Sequence, residues 1–561
     1  MPPSARPARP SGERPLLPPV RVWITATSLL AAIALVRTGL LEPVVGSIVD
    51  HAVRNIITLI LGFFGLLSVV VWFLRESGHS SMLKRAVGYG LLLMIAAAAA
   101  LFRIERVSGD LVPELRLRWM PSRDRLLPAA EPVVAAAGAA WEPTSDDFPR
   151  FLGPEGSAAI ERPQIDSDWS ARPPREVWRT PIGAGWSGFA ICGDHAVTLE
   201  QRGDQELITC RSVADGSLEW AVGERGRHET VLGGVGPRST PTIRDGIVYA
   251  TGATGWLHAI DGATGRVVWK QNIVKDLGLD PEAHAAAVTW GRAGSPLVTD
   301  SLVIVPGGGP VLRPEGGRPF VSLVGYDRVD GSRRWMAGRD QISYVTPQLV
   351  AVGGREVVLT ANESNVTAYD PASGEELWGF DWPGHSNSDA TCSQPHVLDG
   401  DRIFISKGYG IGAGVFAVDE SSPAAVVVRP IWRQAGLLKT KFTNVAIHDG
   451  HAYGLSDGIL ECVRLEDGKR RWKGGRYGQG QVLRVGGLLV VQAEDGDVVL
   501  VACRPEQREE LARLPALSGQ TWNNPALSGD RLLLRNAEEA ACFIVPLTAA
   551  DAGAEADASG P

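Results

Sequence analysis

The hydrophobic residues of this 561-residue chain follow two patterns, and the first is a set of three uninterrupted apolar runs. The runs are Val20–Val36, Ile56–Leu74 and Ala86–Phe102, each 17 to 19 residues long. A helix of about 20 apolar residues crosses the roughly 30 Å hydrocarbon core of a bilayer. A buried core helix is the alternative for any single run, but three in succession without a polar face favour the membrane. The pattern therefore predicts three transmembrane helices within residues 20–102.

Basic residues indicate the side of the membrane on which each connecting segment lies, because cytoplasmic segments carry an excess of Lys and Arg. The N-terminal segment up to Arg21, at the start of the first run, and the loop 75–85 contain Arg6, Arg9, Arg14, Arg21, Arg75, Lys84 and Arg85. The loop 37–55 contains only Arg37 and Arg54. We predict a cytoplasmic tail at 1–19, a multi-pass location in the inner membrane and a periplasmic location for everything beyond residue 102. Residues 103–146, rich in Ala and Pro over 122–146, are the predicted juxtamembrane segment and linker.

The second pattern is a repeat of short alternating strands that begins near residue 147. Its anchor is a Gly followed four residues later by a Trp, with a small residue six positions before the Gly. The copies are Cys210/Gly216/Trp220, Ala259/Gly265/Trp269, Gly325/Gly331/Trp335, Ala368/Gly374/Trp378 and Cys462/Gly468/Trp472. In residues 238–270, Gly and Asp turns separate four strands that would form one antiparallel meander. One meander cannot bury its own faces, so the units must stack, with each Trp packed against the next unit.

Counting the outer strands predicts an all-β domain over residues 147–547, an eight-bladed β-propeller of four-stranded antiparallel blades. The last blade lacks one strand, and residues 176–181 would supply it, so that both ends of the domain close the ring. Seven blades is the alternative count. Residues 548–561 are a predicted disordered tail. The tryptophans with a predicted structural role in the blades are Trp178, Trp220, Trp269, Trp335, Trp378, Trp432 and Trp472.

Two of the repeats, AIDGATGRVVW at 259–269 and AYDPASGEELW at 368–378, resemble the tryptophan-docking repeat of the PQQ-like β-propeller family. The segment DFPRFLGPEG at 147–156 resembles the lead-in to many such propellers, so the resemblance spans about 147–547. The family contains quinoprotein dehydrogenases, which use pyrroloquinoline quinone (PQQ), and non-catalytic relatives such as the outer-membrane assembly lipoprotein BamB. This chain has membrane spans in place of BamB's lipid-bearing cysteine. The resemblance implies the fold, whereas the function depends on the residues of the site.

Charge is divided between the two parts of the chain. Residues 1–125 carry 15 Lys and Arg against 8 Asp and Glu, and the remainder carries 40 against 55. The repeat domain is therefore acidic. Because phosphate binding requires a basic face, nucleic acid is not a predicted partner.

A quinoprotein dehydrogenase would imply PQQ in the central funnel, a Ca²⁺ ion held by oxygen ligands and a catalytic Asp. Many members also have a disulfide between two adjacent cysteines, and the six cysteines here are all separated. Cys210 and Cys462 occupy the small-residue slot of the repeat, so we interpret them as packing residues. Asp261, Asp327 and Asp370 recur once per blade and are interpreted as turn residues, since a catalytic base would be singular.

The histidines show no metal-ligand spacing, because even the closest pair, His448 and His451, straddles an Asp-Gly turn. The sequence thus predicts no catalytic residue, no metal site and no cofactor.

One set of polar residues is a candidate binding site. In six of the units the first strand begins with a Pro or an equivalent residue, and a polar residue stands directly before it. These six polar residues are Thr240, Ser295, Thr346, Gln394, Asn444 and Asn524. First strands line the channel of a propeller, so these residues would form a polar ring at one mouth, with Trp290, Tyr344, Lys441 and Trp522 in the loops at its rim. The ring is either a funnel for a peptide, glycan or small ligand or a set of strand-starting residues that satisfy local backbone groups.

The leading hypothesis is a non-catalytic, membrane-anchored propeller that binds or scaffolds envelope proteins or surface ligands. A PQQ-dependent membrane quinoprotein dehydrogenase is the alternative. A sensor that couples an external ligand to the cytoplasmic tail is a third, and the tail before Val20 is too short for a signalling domain.

Overall fold

Three long helices form the first part of the chain, α1 (Val20–Thr38), α2 (His51–Arg75) and α3 (Ser81–Leu101). Each is long and apolar enough to cross a membrane, and their side chains are largely exposed, as membrane-facing residues are. The Ser80 hydroxyl caps α3 by accepting a hydrogen bond from the backbone N–H of Leu83 at 3.3 Å. A hairpin of β1 (Phe102–Val107) and β2 (Pro113–Leu117) follows α3 directly.

This computed structural model describes residues 15–38, 51–128, 140–313, 319–384, 390–419 and 426–548. The chain forms two compact units, residues 1–120 and residues 121–561. Most of the predicted cytoplasmic tail, the centre of the predicted linker and the predicted C-terminal tail beyond Thr548 lie outside the described residues.

In the part of the chain that the structure describes, the second unit contains eight sheets of four or five strands, which form the blades, and one two-stranded hairpin. Before them come β3 (Ala159–Ile160) and β4 (Arg175–Pro181). Blade 1 comprises β5 (Ala190–Cys192), β6 (His195–Arg202), β7 (Gln205–Ser212) and β8 (Leu218–Arg225). After a short hairpin of β9 (Glu229–Thr230) and β10 (Gly234–Val235), blade 2 comprises β11 (Thr242–Arg244), β12 (Ile247–Thr251), β13 (Trp256–Asp261) and β14 (Val267–Asn272).

Two short helices, α4 (Ile273–Asp276) and α5 (Pro281–Ala287), separate blades 2 and 3. Blade 3 comprises β15 (Leu297–Val298), β16 (Leu302–Gly308), β17 (Val321–Asp327) and β18 (Arg333–Ala337). Blade 4 comprises β19 (Gln348–Val352), β20 (Arg355–Ala361), β21 (Asn365–Tyr369) and β22 (Glu376–Asp381). Blade 5 comprises β23 (His396–Leu398), β24 (Arg402–Lys407), β25 (Gly412–Asp419) and β26 (Val427–Gln434).

Blade 6 comprises β27 (Val445–His448), β28 (His451–Ser456), β29 (Ile459–Arg464) and β30 (Arg470–Arg476). Blade 7 comprises β31 (Gln481–Val485), β32 (Leu488–Gln492), β33 (Asp497–Ala502) and β34 (Glu510–Pro515), with β3 added beside β31. Blade 8 has only three strands from the C-terminal part, β35 (Ala526–Ser528), β36 (Arg531–Arg535) and β37 (Glu539–Ile544).

The fourth strand of blade 8 is β4, which pairs antiparallel with β37 and sets Trp178 opposite Cys542. This confirms the predicted eight-bladed propeller, closed by strands from both ends of the domain, and makes the alternative of seven blades wrong. The closure satisfies the backbone groups of both strands, which would otherwise be exposed sheet edges.

The tryptophan motif joins one blade to the next, and we call each such contact a seam. Trp220 of blade 1 lies over the turn residue Gly265 of blade 2, where an added Cβ would stand 2.8 Å from the indole. The indole N–H of Trp220 also donates to the Gly262 carbonyl oxygen at 2.7 Å. Indole packing over the turn glycine recurs at Trp178/Gly216, Trp269/Gly331, Trp335/Gly374 and Trp432/Gly468. At these five positions the indole packs against the following unit.

The small residue of the repeat stands directly opposite the Trp of its own blade. Ala259 pairs with Trp269, and Gly325 pairs with Trp335, on neighbouring strands. A Cβ on Gly325 would lie 2.5 Å from the Trp335 ring. Since directly opposed side chains on a sheet are close together, a small residue here leaves room for the indole.

Candidate functional site: the two ends of the central channel

The first strands of consecutive blades lie beside one another around the centre, as β5, β11 and β15 do in blades 1 to 3. These strands therefore enclose the channel, as the sequence predicts. Each first strand begins at one mouth and reaches its turn toward the opposite mouth. The residues just before the strands and the chain segment at the turn end define the two ends of the channel.

The polar ring is a chain of hydrogen bonds that passes from blade to blade. The hydroxyl of Thr240 accepts a hydrogen bond from the Gly188 N–H at 3.1 Å. The Thr240 N–H donates to the Ser295 hydroxyl at 2.9 Å, and the Ser295 N–H donates to the Thr346 hydroxyl at 3.0 Å. Each side chain thus satisfies a backbone donor of the preceding blade, which would be costly to leave unpaired in a buried position.

The ring continues through two amides. The Gln394 side chain accepts from the Thr346 N–H at 3.1 Å and donates to the Thr346 carbonyl oxygen at 2.9 Å. The Gln394 N–H in turn donates to the Asn444 side-chain oxygen at 3.1 Å. Asn524 begins blade 8 at the matching position, and its backbone carbonyl lies near Gly188, where the ring starts. The ring side chains therefore make contacts between blades.

One member of the ring was missed by sequence reasoning. Gln481 stands five residues before the turn of blade 7, as Thr240 stands five before the turn of blade 2. Its amide nitrogen donates to the carbonyl oxygens of Phe442 at 3.2 Å and Trp522 at 3.0 Å, so it spans from blade 6 to blade 8. Blade 7 lacks the Pro used to find the ring, and only the distance to the turn identifies this residue.

Trp522 belongs to an aromatic cluster at the rim. Its ring lies 4.8 Å from that of Trp186 and 4.7 Å from that of Phe442, and its indole N–H donates to Glu494 at 3.0 Å. Trp522 and Phe442 are half-buried, and Trp186 is buried. The sequence predicted Trp522 alone, because the other two rings precede different blades and follow no repeat.

The other predicted rim residues are held by local contacts. The Tyr344 hydroxyl accepts from the Trp290 N–H at 3.4 Å, and burial raises the pKa of this Tyr344 hydroxyl. Lys441 is buried and lies 3.3 Å from Asp457 as an ion pair. Trp290 is half-buried. These residues stand before blades 3, 4 and 6, so they come from three different connections between blades.

The opposite end of the channel is crossed by residues 147–160. Phe148 bridges to Ile191 of blade 1, and the Pro149 carbonyl accepts from the Ile243 N–H of blade 2 at 2.8 Å. The Gly156 carbonyl accepts from the Gln348 side chain of blade 4 at 2.8 Å. Strand β3 then pairs in parallel with β31 of blade 7. A segment this short that contacts blades 1, 2, 4 and 7 must pass over the centre, so this end is covered.

A small cavity lies under this crossing segment. Its volume is about 20 Å³, and Arg150, Phe151, Ser295, Thr346 and Gln348 are among the residues that line it. A space of this size holds about one water molecule.

A quinone cofactor with its Ca²⁺ ion would need space in the channel and uncommitted oxygen ligands. Two buried carboxylates on third strands have partners: Glu206 accepts from the Ala253 N–H at 2.6 Å, and Glu461 accepts from the Leu438 N–H at 2.9 Å and from Arg470. Among the described residues all six cysteines are free. At the ring the side-chain oxygens of Gln481 and Asn524 have no hydrogen-bond partner in the described part of the chain. Two amides without a carboxylate do not fit the calcium ion that accompanies PQQ, so we derive no step through either group.

Comparison with known proteins gives a family match over the propeller. The family model described as "Outer membrane protein assembly factor BamB" matches residues 175–474 and 362–544. The chain is similar to the protein of that name from Xanthomonas campestris pv. campestris, with 25% identity over 395 residues, which cover 56% of this chain and 91% of that protein. It is also similar to the Escherichia coli K12 protein of the same name, with 24% identity over 373 residues, covering 58% and 88%.

Among solved structures, quinohemoprotein alcohol dehydrogenase from Comamonas testosteroni has a TM-score of 0.51 with 13% identity. The alignment covers 81% of this chain and 84% of that one. At this identity the similarity shows a shared fold alone.

Proposed function

Because this chain belongs to the family described as outer membrane protein assembly factor BamB, we propose that its propeller is a non-catalytic module that binds and scaffolds envelope proteins. In this proposal α1, α2 and α3 hold the protein in the inner membrane. The propeller lies on the periplasmic side, as the distribution of basic residues indicates.

The observation that carries this proposal is the one-sided channel. Residues 147–160 cover one end, and the polar ring at the other end is hydrogen-bonded between blades. The rings of Trp186, Phe442 and Trp522 then form the aromatic surface of the rim at the open end of the channel. Aromatic side chains provide much of the binding energy at protein interfaces. We assign partner binding to this rim, with the ring residues holding its loops in position.

The test is a pull-down from cross-linked membranes with the tagged full-length chain. We expect specific envelope proteins to be captured, and the double variant F442A/W522A to capture them at least about tenfold less, since clustered aromatic anchors each contribute more than 1 kcal/mol. The matched control is W256A, which removes a half-buried tryptophan of blade 2 that is not part of the aromatic cluster. Equal capture by F442A/W522A and the parent chain, with both folded, would contradict the assignment.

The orientation is tested by labelling intact spheroplasts with a membrane-impermeant maleimide. We expect D449C, in an exposed turn of blade 6, to be labelled without lysis. We expect S80C, in the loop 75–85, to be labelled only after lysis. The reverse result would place the propeller in the cytoplasm.

The dehydrogenase alternative is tested with the purified full-length protein incubated with PQQ and Ca²⁺. We expect no reduction of an artificial electron acceptor with alcohols or sugars. Saturable, PQQ-dependent dye reduction would replace the scaffold proposal with the enzyme.

A further inference from the structure

Blade 1 brings together three metal-ligating side chains that the repeat does not require. His195, Cys210 and Glu219 each offer one ligand atom, and these atoms all lie within 4.8 Å of one another. The Nδ1 atom of His195 is 2.8 Å from Oε2 of Glu219. The Sγ atom of Cys210 donates to the same oxygen at 3.2 Å. Imidazole, thiolate and carboxylate are the three ligand types that Zn²⁺ uses in proteins.

Adjacent strands of one sheet build this group. Cys210 on β7 pairs with Val197 on β6, and His195 lies two residues before Val197, on the same face. The β7–β8 register shifts between Cys210 and Arg211, which leaves Glu219 at a β-bulge just before Trp220. A bulge re-aims a side chain, and here it directs the Glu219 carboxylate toward the thiol.

The surroundings suit a partly enclosed ion. Cys210 is fully buried, whereas the side chains of His195 and Glu219 are 32% and 26% exposed. The Trp141 ring stacks on the His195 imidazole, with centroids 4.5 Å apart and planes 10° apart, and itself packs against Gly262 of blade 2. The stacking fixes the imidazole orientation, and the exposed side leaves an entry path.

We propose that His195, Cys210 and Glu219 form a Zn²⁺ site, with water in the fourth position on the exposed side. Zn–S and Zn–N distances of about 2.3 and 2.0 Å place tetrahedral ligands roughly 3 to 4 Å apart, so the His195–Glu219 and Cys210–Glu219 separations need to widen by less than about 1 Å. Zn²⁺ binds the Cys210 sulfur as thiolate, and the thiol proton passes to solvent. One thiolate and one carboxylate then balance the two positive charges of the ion.

Blade 6 provides an internal contrast. His451 and Cys462 occupy the positions of His195 and Cys210, because Cys462 pairs with Trp472 as Cys210 pairs with Trp220. The residue before Trp472 is Arg471, whose guanidinium replaces the carboxylate of blade 1 with a positive charge. Among the described residues, the His and Cys of blade 6 are not part of a group of three ligand atoms as compact as that of blade 1. Zinc binding is expected in blade 1 and absent in blade 6.

The test is a titration of the full-length, tag-free, metal-stripped protein in detergent with Co²⁺ and then Zn²⁺. We expect one Co²⁺ per chain with a thiolate-to-cobalt charge-transfer band, displaced by stoichiometric Zn²⁺ with release of about one proton. In C210A the band should disappear and Zn²⁺ affinity should fall more than about tenfold, since losing even an orienting partner of a metal ligand costs 10–100-fold. Ala occupies this slot in blades 2 and 4, as Ala259 and Ala368, so the fold accepts the change.

The matched control is C462A, which should leave the band and the affinity unchanged. A second variant, E219Q, keeps the shape of the side chain but lowers Zn²⁺ affinity by removing the anionic ligand. The proposal fails if the parent chain shows no saturable one-to-one binding, or if C462A abolishes the band while C210A retains it.

Discussion

The seam between blades 1 and 2 and the seam between blades 8 and 1 use the same tryptophan motif and each contains a buried carboxylate, Glu206 or Glu200, whereas the second also has the buried guanidinium of Arg535. At the first seam Trp220 covers Gly265. At the second, Trp178 covers Gly216 and its indole N–H donates to the Val213 carbonyl at 2.8 Å. The apolar contact is therefore common to both seams.

The additional contacts at the closing seam centre on Arg535, on the C-terminal strand β36. Its guanidinium donates to the Thr198 hydroxyl at 2.7 Å and to the Leu199 and Gly183 carbonyls at 2.8 Å each. Burial lowers its pKa to about 10, and nearby Glu200 opposes that shift. Glu200 is itself fully buried and accepts from Arg202 at 2.8 Å.

The difference shows what each contact contributes. An indole over a glycine turn is weakly directional and serves any two neighbouring blades. A buried guanidinium needs several acceptors in fixed places, and it is satisfied only when the two ends of the domain have met in register. We infer that the charges at the closing seam specify the closure, while the tryptophans stabilise every seam.

Removal of the shared contact gives the largest expected effect. We expect W220A and W178A each to lower the free energy of unfolding by about 3–5 kcal/mol, because a buried indole is lost and a cavity remains. Denaturant titration of the full chain in detergent, followed by circular dichroism, measures this. W256A is the control for a half-buried tryptophan outside the motif, with a smaller loss. A loss below about 1 kcal/mol at either seam would mean that the motif does not stabilise it.

The charges at the closing seam are tested by a double-mutant cycle of E200Q and R535M. We expect each single variant to lose about 3 kcal/mol, since it leaves the other buried charge with poorer compensation, and the double variant to lose less than the sum. Denaturation midpoints and slopes of the four proteins provide the cycle. Additive losses would show that the two side chains act independently, contrary to our inference.

The glycine of the motif is tested against a glycine with the same backbone angle. Gly265 and Gly246 have φ of +72° and +73°, and only Gly265 has an indole against it. We expect G246A to cost about 1 kcal/mol from the left-handed backbone alone, and G265A about 2 to 3 kcal/mol because the new methyl also displaces Trp220. Thermal melts of both variants check the difference. Equal losses would indicate that contact with the indole adds nothing.

The smallest expected effect is a pH dependence at another seam. His396 begins blade 5 at the position held in blade 2 by Thr242, whose hydroxyl donates to the Pro296 carbonyl at 2.7 Å. Burial lowers the pKa of His396 to about 4. The unfolded chain binds the proton below about pH 6.5, whereas the folded chain does so only near pH 4, so stability is lost as pH falls through that window.

We expect the parent chain to lose about 2 kcal/mol more than H396T between pH 7 and pH 5. Denaturant titrations at the two pH values measure the difference. His228 and His284, whose pKa values burial lowers to about 3 and about 4, remain in both proteins and cancel. An identical pH dependence of the two proteins would contradict the assignment to His396.

Most of the fold follows from the sequence because the repeat is local. Gly, Trp and the small residue recur at fixed spacing within one meander. The C-terminal part of the chain provides only three strands for blade 8, and the segment containing Trp178 was the candidate for the fourth. The eight blades were predicted from these spacings and are confirmed, and five of the seven tryptophans pack on the turn glycine of the next unit.

The features that sequence reasoning missed depend on contacts between distant positions. Arg535 and Glu200 carry no motif, and their proximity arises only when the ring closes. Residues 147–156 were identified as the lead-in to the propeller, but no spacing indicates that they cross the channel. Cys210 was interpreted as a packing residue from its slot. If the blades are aligned on the small-residue position of the repeat, His195 and Glu219 lie beside Cys210. That alignment is the signal that could have identified the three proposed zinc ligands.

The strand exchange in blade 8 has a consequence for the order in which the protein is made. Arg179 on β4 and Glu539 on β37 form a hydrogen bond across 360 residues. At roughly 5–20 residues per second, β4 leaves the ribosome tens of seconds before its partner exists. During that interval β4 is unpaired at the start of an unfinished propeller, and both its edge and the edges of the unfinished ring are open to pairing with other chains. Folding of this propeller is therefore tied to completion of synthesis, and a truncated chain that lacks β37 is expected to aggregate.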